Sequence, residues 1–453
     1  MINKVPSEEE QTKDEETYEL NDKNASKKQG TFHRYVVPVL LAFLLLFIGF
    51  FTGRITLDPE IRSLRALKRR IQKEYYEEVT DEEFYKVIFD AVNGELLDPY
   101  SQYMTADEYA QNNAHGKGQQ SGVGIVFLTK NALGEQQMYV SRVCGNSPAE
   151  AAGICEGDFL VGFGETQSQI RESQDFDEFN AFLQNTEKGK TFYVKMQSSE
   201  TTKIIALHKS DYVENYVFYR TATQAYRFLG SNALTLTEGG RPLTCLDSDT
   251  AYIRLTSFNG AAVREFAQAM QLFKTQSKKN LVLDLRGNGG GYMNIMQEIA
   301  AYFCKNATVK KPIVAVADYG EKTKQFVASG NVYGTYFAED SRICVLADNQ
   351  TASASECLLG AMLDYGTIGY EDICLSTRSG ETKTYGKGIM QTTYPLTLTG
   401  GDAVKLTTAK IFWPVTGNCI HGVGITPENG AITIAENTQT DAEIVAAVEA
   451  LFN

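Results

Sequence analysis

Two serines set between alanines, Ala352-Ser353-Ala354-Ser355, form the stretch of this chain best suited to nucleophilic chemistry. Small neighbours let a substrate backbone come close to a hydroxyl. Upstream, Ile343-Cys344-Val345-Leu346-Ala347 reads as a buried strand, and downstream Leu358, Leu359, Met362 and Leu363 recur at helical spacing. That pattern puts Ser353 on a strand-to-helix turn, where free N–H groups and the helix dipole favour developing negative charge. Thr351, Ser353 or Ser355 serving only as a helix cap is the other reading of the same residues.

A serine nucleophile needs a base, and the chain has four histidines. His33 lies in a polar amino-terminal tail, His115 in a Gly/Gln-rich stretch, His208 at the end of a strand pattern, and His421 in a turn-like Ile420-His421-Gly422 setting. A lysine can replace histidine where burial keeps the amine neutral. Lys387, flanked by Gly386 and Gly388 with Tyr385 beside it, is the candidate, and Gln391 four residues on would share its face of an extended strand and hold it. The competing reading of Lys387 is a solvated surface charge.

Taken together, Thr351-Ala352-Ser353-Ala354-Ser355-Glu356 and Thr384-Tyr385-Gly386-Lys387-Gly388-Ile389-Met390-Gln391 resemble the signature of the carboxyl-terminal processing peptidases. These are serine proteases with a Ser/Lys dyad and an internal PDZ domain. Asp98-Pro99-Tyr100-Ser101, the run Asp284-Leu285-Arg286-Gly287-Asn288-Gly289-Gly290-Gly291, and Gly422-Val423-Gly424-Ile425-Thr426-Pro427-Glu428 resemble further motifs of that family, in its order. The resemblance implies an α/β protease core (crotonase/ClpP-like) with an inserted PDZ-like β domain. It also implies Ser353 as nucleophile, Lys387 as base, Gln391 as the residue orienting it, and the N–H groups of Gly290 and Ala354 as oxyanion hole. Two departures stand out. The segment Asp372 to Glu381 is longer than the family's, and Gly289 stands where proline often does.

The glycine run after the strand Leu281 to Leu285 invites a dinucleotide-binding reading, which fails because the last glycine of G-x-G-x-x-G would fall on Tyr292. Gly122-Val123-Gly124-Ile125 resembles the loop with which PDZ domains bind a terminal carboxylate, and Ser147-Pro148-Ala149-Glu150 and Gly157-Asp158 follow at that module's spacing. A plain β-turn is the alternative for the glycine loop alone.

The elements that must position these residues are laid out along 453 residues, 43% hydrophobic and 11% aromatic, enough for sizeable cores. A net charge of -13 argues against a nucleic-acid partner. Residues 1–34 read as a disordered polar tail, and 35–54 as a transmembrane helix, apolar and long enough to cross about 30 Å of hydrocarbon. A cleaved signal peptide competes with an uncleaved anchor there. Basic residues flank the run on both sides, so charge does not orient it; the family resemblance places the long carboxyl-terminal part outside the cytoplasmic membrane. Eight cysteines without C-x-x-C spacing suit either disulfides or buried thiols, and no metal or cofactor is called for.

The expected divisions are a helical segment over 55–118, a PDZ-like domain over 119–208, a protease core over 209–436 and a closing helix within 437–453. Pro59 to about Tyr109 reads as helical, serving as a spacer, a homo-oligomer arm or ordinary core packing, and Asn112 to Ser121 as a polar loop. The function expected is a membrane-anchored serine endopeptidase cleaving extracytoplasmic proteins by their apolar carboxyl-terminal tails. A membrane-tethered PDZ adaptor with an inactive core is the rival from another class.

Overall fold

The computed structural model describes residues 37–55, 58–130, 134–198, 201–229, 233–236, 242–377, 381–396, 400–434 and 442–452. The tail 1–34, part of the long 372–381 segment and residues 437–441 lie outside them. The chain divides into two units, Met1–Ala91 and Val92–Asn453.

Among its described residues the first unit has helices α1 (Val37–Ile55), α2 (Pro59–Glu74) and α3 (Asp81–Ala91). The described side chains of α1, residues 38–49, are exposed, and among the described residues no helix is long and apolar enough to cross a membrane. The crossing expected at 35–54 thus gains no support from the fold. Helix α2 starts on Pro59, where a missing N–H costs nothing, and its apolar stripe includes Ile61 and Leu67, 44% and 54% exposed. Thr80 opens α3, its hydroxyl accepting from Glu83 N at 3.1 Å while Glu83 Oε2 accepts from Thr80 N at 2.8 Å.

In the second unit, β1 (Gln102–Met104), α4 (Ala106–Gly116) and β2 (Gln119–Gly122) come first. Next are β3 (Ile125–Lys130), β4 (Gln136–Val143), α5 (Pro148–Ala151), β5 (Phe159–Gly164), β6 (Arg171–Glu172), α6 (Phe176–Asn185), β7 (Phe192–Ser198) and β8 (Thr201–Leu207). Strands β9 (Ser210–Val213), β10 (Val217–Arg220), β11 (Ala225–Leu229), β12 (Ala233–Leu236) and β13 (Thr250–Leu255) lead to α7 (Ala262–Thr275), β14 (Asn280–Asp284) and α8 (Met293–Ala300). Then follow β15 (Ile313–Asp318), β16 (Thr323–Val327), α9 (Tyr333–Tyr336), β17 (Ile343–Ala347), α10 (Ala354–Asp364), β18 (Ile373–Ser376), β19 (Ile389–Pro395), β20 (Ala403–Phe412), β21 (Ile432–Ile434) and α11 (Ala442–Phe452).

Strands β12-β11-β10-β13-β14-β17-β18-β21 make an eight-stranded sheet, parallel from β13 to β21. Its central strands are covered on both faces, which is why they read as unbroken apolar runs. Leu281 and Leu283 point into one core with Phe266, Ile299 and Leu358, while Val282 points into another with Ile444 and Ala447 of α11. A second sheet, β1-β20-β15-β16 with β19 on β20, stands beside it. Between them α10 packs so closely that a Cβ on Gly360 would lie 2.2 Å from the Trp413 ring. A third sheet, β3-β4-β5-β7-β8, closes on its own core of Met138, Leu160, Phe179 and Phe192, with β3 at its edge.

Two local expectations fail. Asn112 to Ser121 is not a loop: α4 runs to Gly116 and β2 begins at Gln119. A Thr105/Glu108 capping box starts α4, but the helix is mostly polar and gives little periodic signal. The segment read as helical up to Tyr109 also contains β1, whose Tyr103 pairs with Val404 of β20. Three residues are too few to show a strand period, and only the distant partner makes them one.

Candidate active site

Ser353 is the last residue of the turn between β17 and α10, and its backbone sits at φ 59°, ψ −116°. A side-chain-bearing residue there is strained by roughly 1–3 kcal/mol, so the surroundings must hold it. They do so from three sides. Ala352 N and Ser355 Oγ both donate to the Asn288 carbonyl, at 3.0 and 2.9 Å, and Ser353 N donates to Glu356 Oε2 at 3.0 Å. Ser353 is the N-cap residue of α10, and Glu356, three residues on, accepts from its backbone N–H as in a capping box, so the capping reading describes its backbone position.

Glu356 ties this turn to the lysine segment. Its carboxylate accepts from Thr384 Oγ1 at 2.6 Å, Gly386 N at 2.7 Å and Lys387 N at 2.8 Å, in addition to Ser353 N. Burial pushes its pKa up, against the pull of those four donors. One buried carboxylate thereby fixes the backbones of Ser353 and Lys387 to each other. The Lys387 amine lies 4.7 Å from the centre of the Tyr100 ring. Burial holds its pKa below the ordinary 10.5 and Lys405 pushes the same way, while Asp98 and Glu356 oppose.

Ser353, Lys387 and Gln391 line one groove of about 660 Å³, with Gly289, Tyr292 and Met390. Lys387 lies before β19 rather than within it, and a β-bulge separates Met390 from Gln391, so the pair share the groove by a route other than simple strand alternation. Gln391 Nε2 donates to Thr407 Oγ1 at 3.2 Å.

The glycine loop runs from β14 past Ser353. Gly290 has φ 102°, and a Cβ there would stand 2.9 Å from Ala354 N and from Ser353 Cβ, so only glycine allows the approach. Its N–H is taken by Asn288 Oδ1 at 2.9 Å. The Asn288 side-chain nitrogen is fixed in turn to Leu255 O at 2.8 Å. In this conformation the Gly290 donor is therefore engaged, and an oxyanion would have to compete with the Asn288 side chain for it.

The family model for peptidase family S41 matches residues 249–429, the span from β13 to the turn before β21 that holds every residue just described except Tyr100 and Asp98. Over that span the chain is similar to peptidase family S41. It is 24% identical over 368 residues to a probable CtpA-like serine protease of Staphylococcus epidermidis, covering 81% of this chain and 65% of that protein. With a second, from Staphylococcus saprophyticus, it shares 24% over 428 residues, 90% of this chain and 76% of that one. This chain thus spans just under two thirds of the first relative's length. Among solved structures, a photosystem II D1 C-terminal processing protease overlays 84% of this chain and 94% of its own at 20% identity, with a TM-score of 0.46, too loose an overlay to bear on the site.

Outside the matched span, Gly122, Val123, Gly124 and Ile125 form the turn from β2 into β3. The Val123 carbonyl accepts from Ala149 N and the Gly124 carbonyl from Cys144 N, both at 2.9 Å, so the turn is held from below. Of the histidines, His421 and His208 are exposed, and His115, at the end of α4, borders the groove with its Nδ1 2.8 Å from Gln120 Oε1. No disulfide joins the eight cysteines, and five of them are buried thiols. Glu356 was in view as part of the serine motif, three residues past Ser353 at capping-box spacing, yet its bonds to Gly386 and Lys387 were invisible without the fold.

Proposed function

We propose that this chain is a serine endopeptidase in which Ser353 attacks and Lys387 takes the proton. The observation that carries this reading is the buried Glu356 carboxylate, which binds the backbone N–H of both residues and turns them into one groove. The chemistry follows in steps. Ser353 Oγ adds to the scissile carbonyl carbon while its proton passes to Lys387 Nζ, and the carbonyl oxygen becomes an oxyanion facing Ala354 N–H and, once it leaves Asn288, Gly290 N–H. Collapse expels the amine, which takes the proton back from the ammonium, and water then hydrolyses the ester. Gln391, tied to Thr407, orients the lysine side of the groove.

The substrates are proteins with apolar carboxyl-terminal tails, taken up at the turn Gly122 to Ile125 and the edge of β3, a PDZ-like arrangement. The free edge of β3 and the sequence resemblance support that part. Residues 35–54 anchor the chain in the cytoplasmic membrane with the catalytic part outside. What supports this is the uncharged apolar run of the sequence itself.

The test uses the full chain in detergent with an unfolded protein ending in an apolar tail. Ser353→Ala should abolish cleavage, read on a gel, and leave tail binding intact. Cleavage by Ser353→Ala would sink Ser353 as the nucleophile, and no cleavage by the unaltered chain while it binds the tail would sink the enzyme reading; the second result is what an inactive adaptor gives. Recovery of the unaltered chain in the salt-washed membrane fraction, and its loss on deleting residues 35–54, tests the anchor.

A further inference from the structure

The short segment Asp98-Pro99-Tyr100-Ser101 lies far from the lysine in sequence and has so far been given no task. It is built around one carboxylate. Asp98 Oδ1 accepts from Tyr100 N at 2.8 Å and from Thr407 Oγ1 at 3.2 Å, and Asp98 Oδ2 accepts from Ser101 Oγ at 3.1 Å. Ser101 Oγ in turn accepts from Thr407 N at 2.8 Å. The segment is thus riveted to β20 at Thr407, the same residue whose hydroxyl receives the Gln391 amide. What it presents to the groove is the face of the Tyr100 ring, 4.7 Å from Lys387 Nζ, with the phenol steadied by Tyr385 Oη at 3.4 Å.

We propose that Tyr100 is a positioning residue for the Lys387 amine, its ring face holding the nitrogen in the groove and setting the pH at which it sheds its proton. This rests on the reading of Lys387 as the base. The argument is one of opposing forces. A four-carbon stem leaves a lysine amine free to wander, and a ring face is a shallow but directional trap for it. The ring attracts the ammonium and not the neutral amine, so it pulls the titration upward. It also excludes water, which pulls the titration down. The other groups that bear on the amine are Lys405 of β20, which opposes its charge, and Asp98 and Glu356, which favour it. With the ring present, the amine is held in the groove and still surrenders its proton below the ordinary lysine range.

The experiment separates the ring's two effects in the full chain. Tyr100→Leu keeps the bulk and the exclusion of water but removes the aromatic face, whereas Tyr100→Phe keeps the face and removes only the hydroxyl. The primary readout is the pH dependence of Lys387 modification by an amine-reactive reagent, followed by peptide mass spectrometry, which reads the amine whether or not the chain cleaves anything. Tyr100→Leu should lower the midpoint by about half to one pH unit, and Tyr100→Phe should leave it unmoved. If the Leu variant does not fold, a series of increasingly fluorinated phenylalanines at position 100 keeps the shape and drains the ring face, and the midpoint should fall with each step. Equal midpoints for the unaltered chain and the Leu variant, or for the whole fluorinated series, would overturn the proposal, as would a Phe variant shifted as far as Leu. The pH limb of cleavage should move with the labelling midpoint. Cleavage retained by Lys387→Ala would instead overturn the base assignment itself, a result the labelling data cannot mimic.

Discussion

At the scale of single residues, Glu356 is the side chain on which the site's geometry turns. Replacing it by glutamine keeps its size but turns one of its two acceptor oxygens into a donor facing other donors. Glu356→Gln should therefore lose at least one of the four contacts to Ser353, Thr384, Gly386 and Lys387 and destabilise the fold by about 2–3 kcal/mol, read as a lower thermal midpoint. Cleavage should fall further than stability, because the backbones it couples carry the reacting groups. Lys387 gives a pH prediction with a definite sign. The neutral amine is the active form, so cleavage should rise with pH through a midpoint below 10.5 and be lost as the pH drops beneath it. Lys405 holds that midpoint down by repulsion. Lys405→Gln should move the rising limb toward higher pH, and a limb that stays put would show that burial alone sets it. Ser353 and Lys387 were singled out in the sequence because alanines around a serine and glycines around a lysine leave a local trace, and Gly290 because of the family resemblance. Glu356, Asn288 and Tyr100 also act through partners distant in sequence, Lys387, Ser355 and Lys387 respectively, and no local pattern reports such a contact.

At the scale of elements, the sequence told most where burial was complete. The central strands β13, β14 and β17 could be read directly because parallel strands covered on both faces are continuous apolar runs, and α7 because its buried stripe of Phe266, Ala269, Met270 and Phe273 follows the helical period. The polar α4 and the three-residue β1 escaped for the opposite reason. Gly360 shows how an element's packing constrains a position that propensity alone would give to another residue. It lies inside α10, where alanine is the better helix former by about 1 kcal/mol. Yet a Cβ would stand 2.2 Å from the Trp413 ring. Gly360→Ala should destabilise the protein by about 1–3 kcal/mol in chemical denaturation despite its helix propensity. A neutral or stabilising result would mean that Trp413 moves aside freely.

At the scale of the whole molecule, the eight-stranded sheet joins the glycine loop to the far end of the chain. Arg286, which precedes Gly287, is 5% exposed and pairs with Asp284 at 2.6 Å on one side and with Glu443 of α11 on the other. Ser376 Oγ donates to the same Glu443 carboxylate at 2.9 Å. Helix α11 was expected as an amphipathic closing helix, and Ile444 and Ala447 do pack under the sheet, but the charged pair could not be foreseen from either segment alone. Glu443→Gln should cost roughly 3 kcal/mol, since it leaves a buried guanidinium short of a partner, and the loss should appear in the thermal midpoint. An unchanged midpoint would mean that Asp284 alone satisfies Arg286.

That clasp has a consequence for how the protein is made. Glu443 leaves the ribosome after Ser353, Lys387 and every other residue of the groove. Until it arrives, the Arg286 guanidinium at the root of the glycine loop has Asp284 alone as its buried anionic partner, so that root is completed only when the last helix docks.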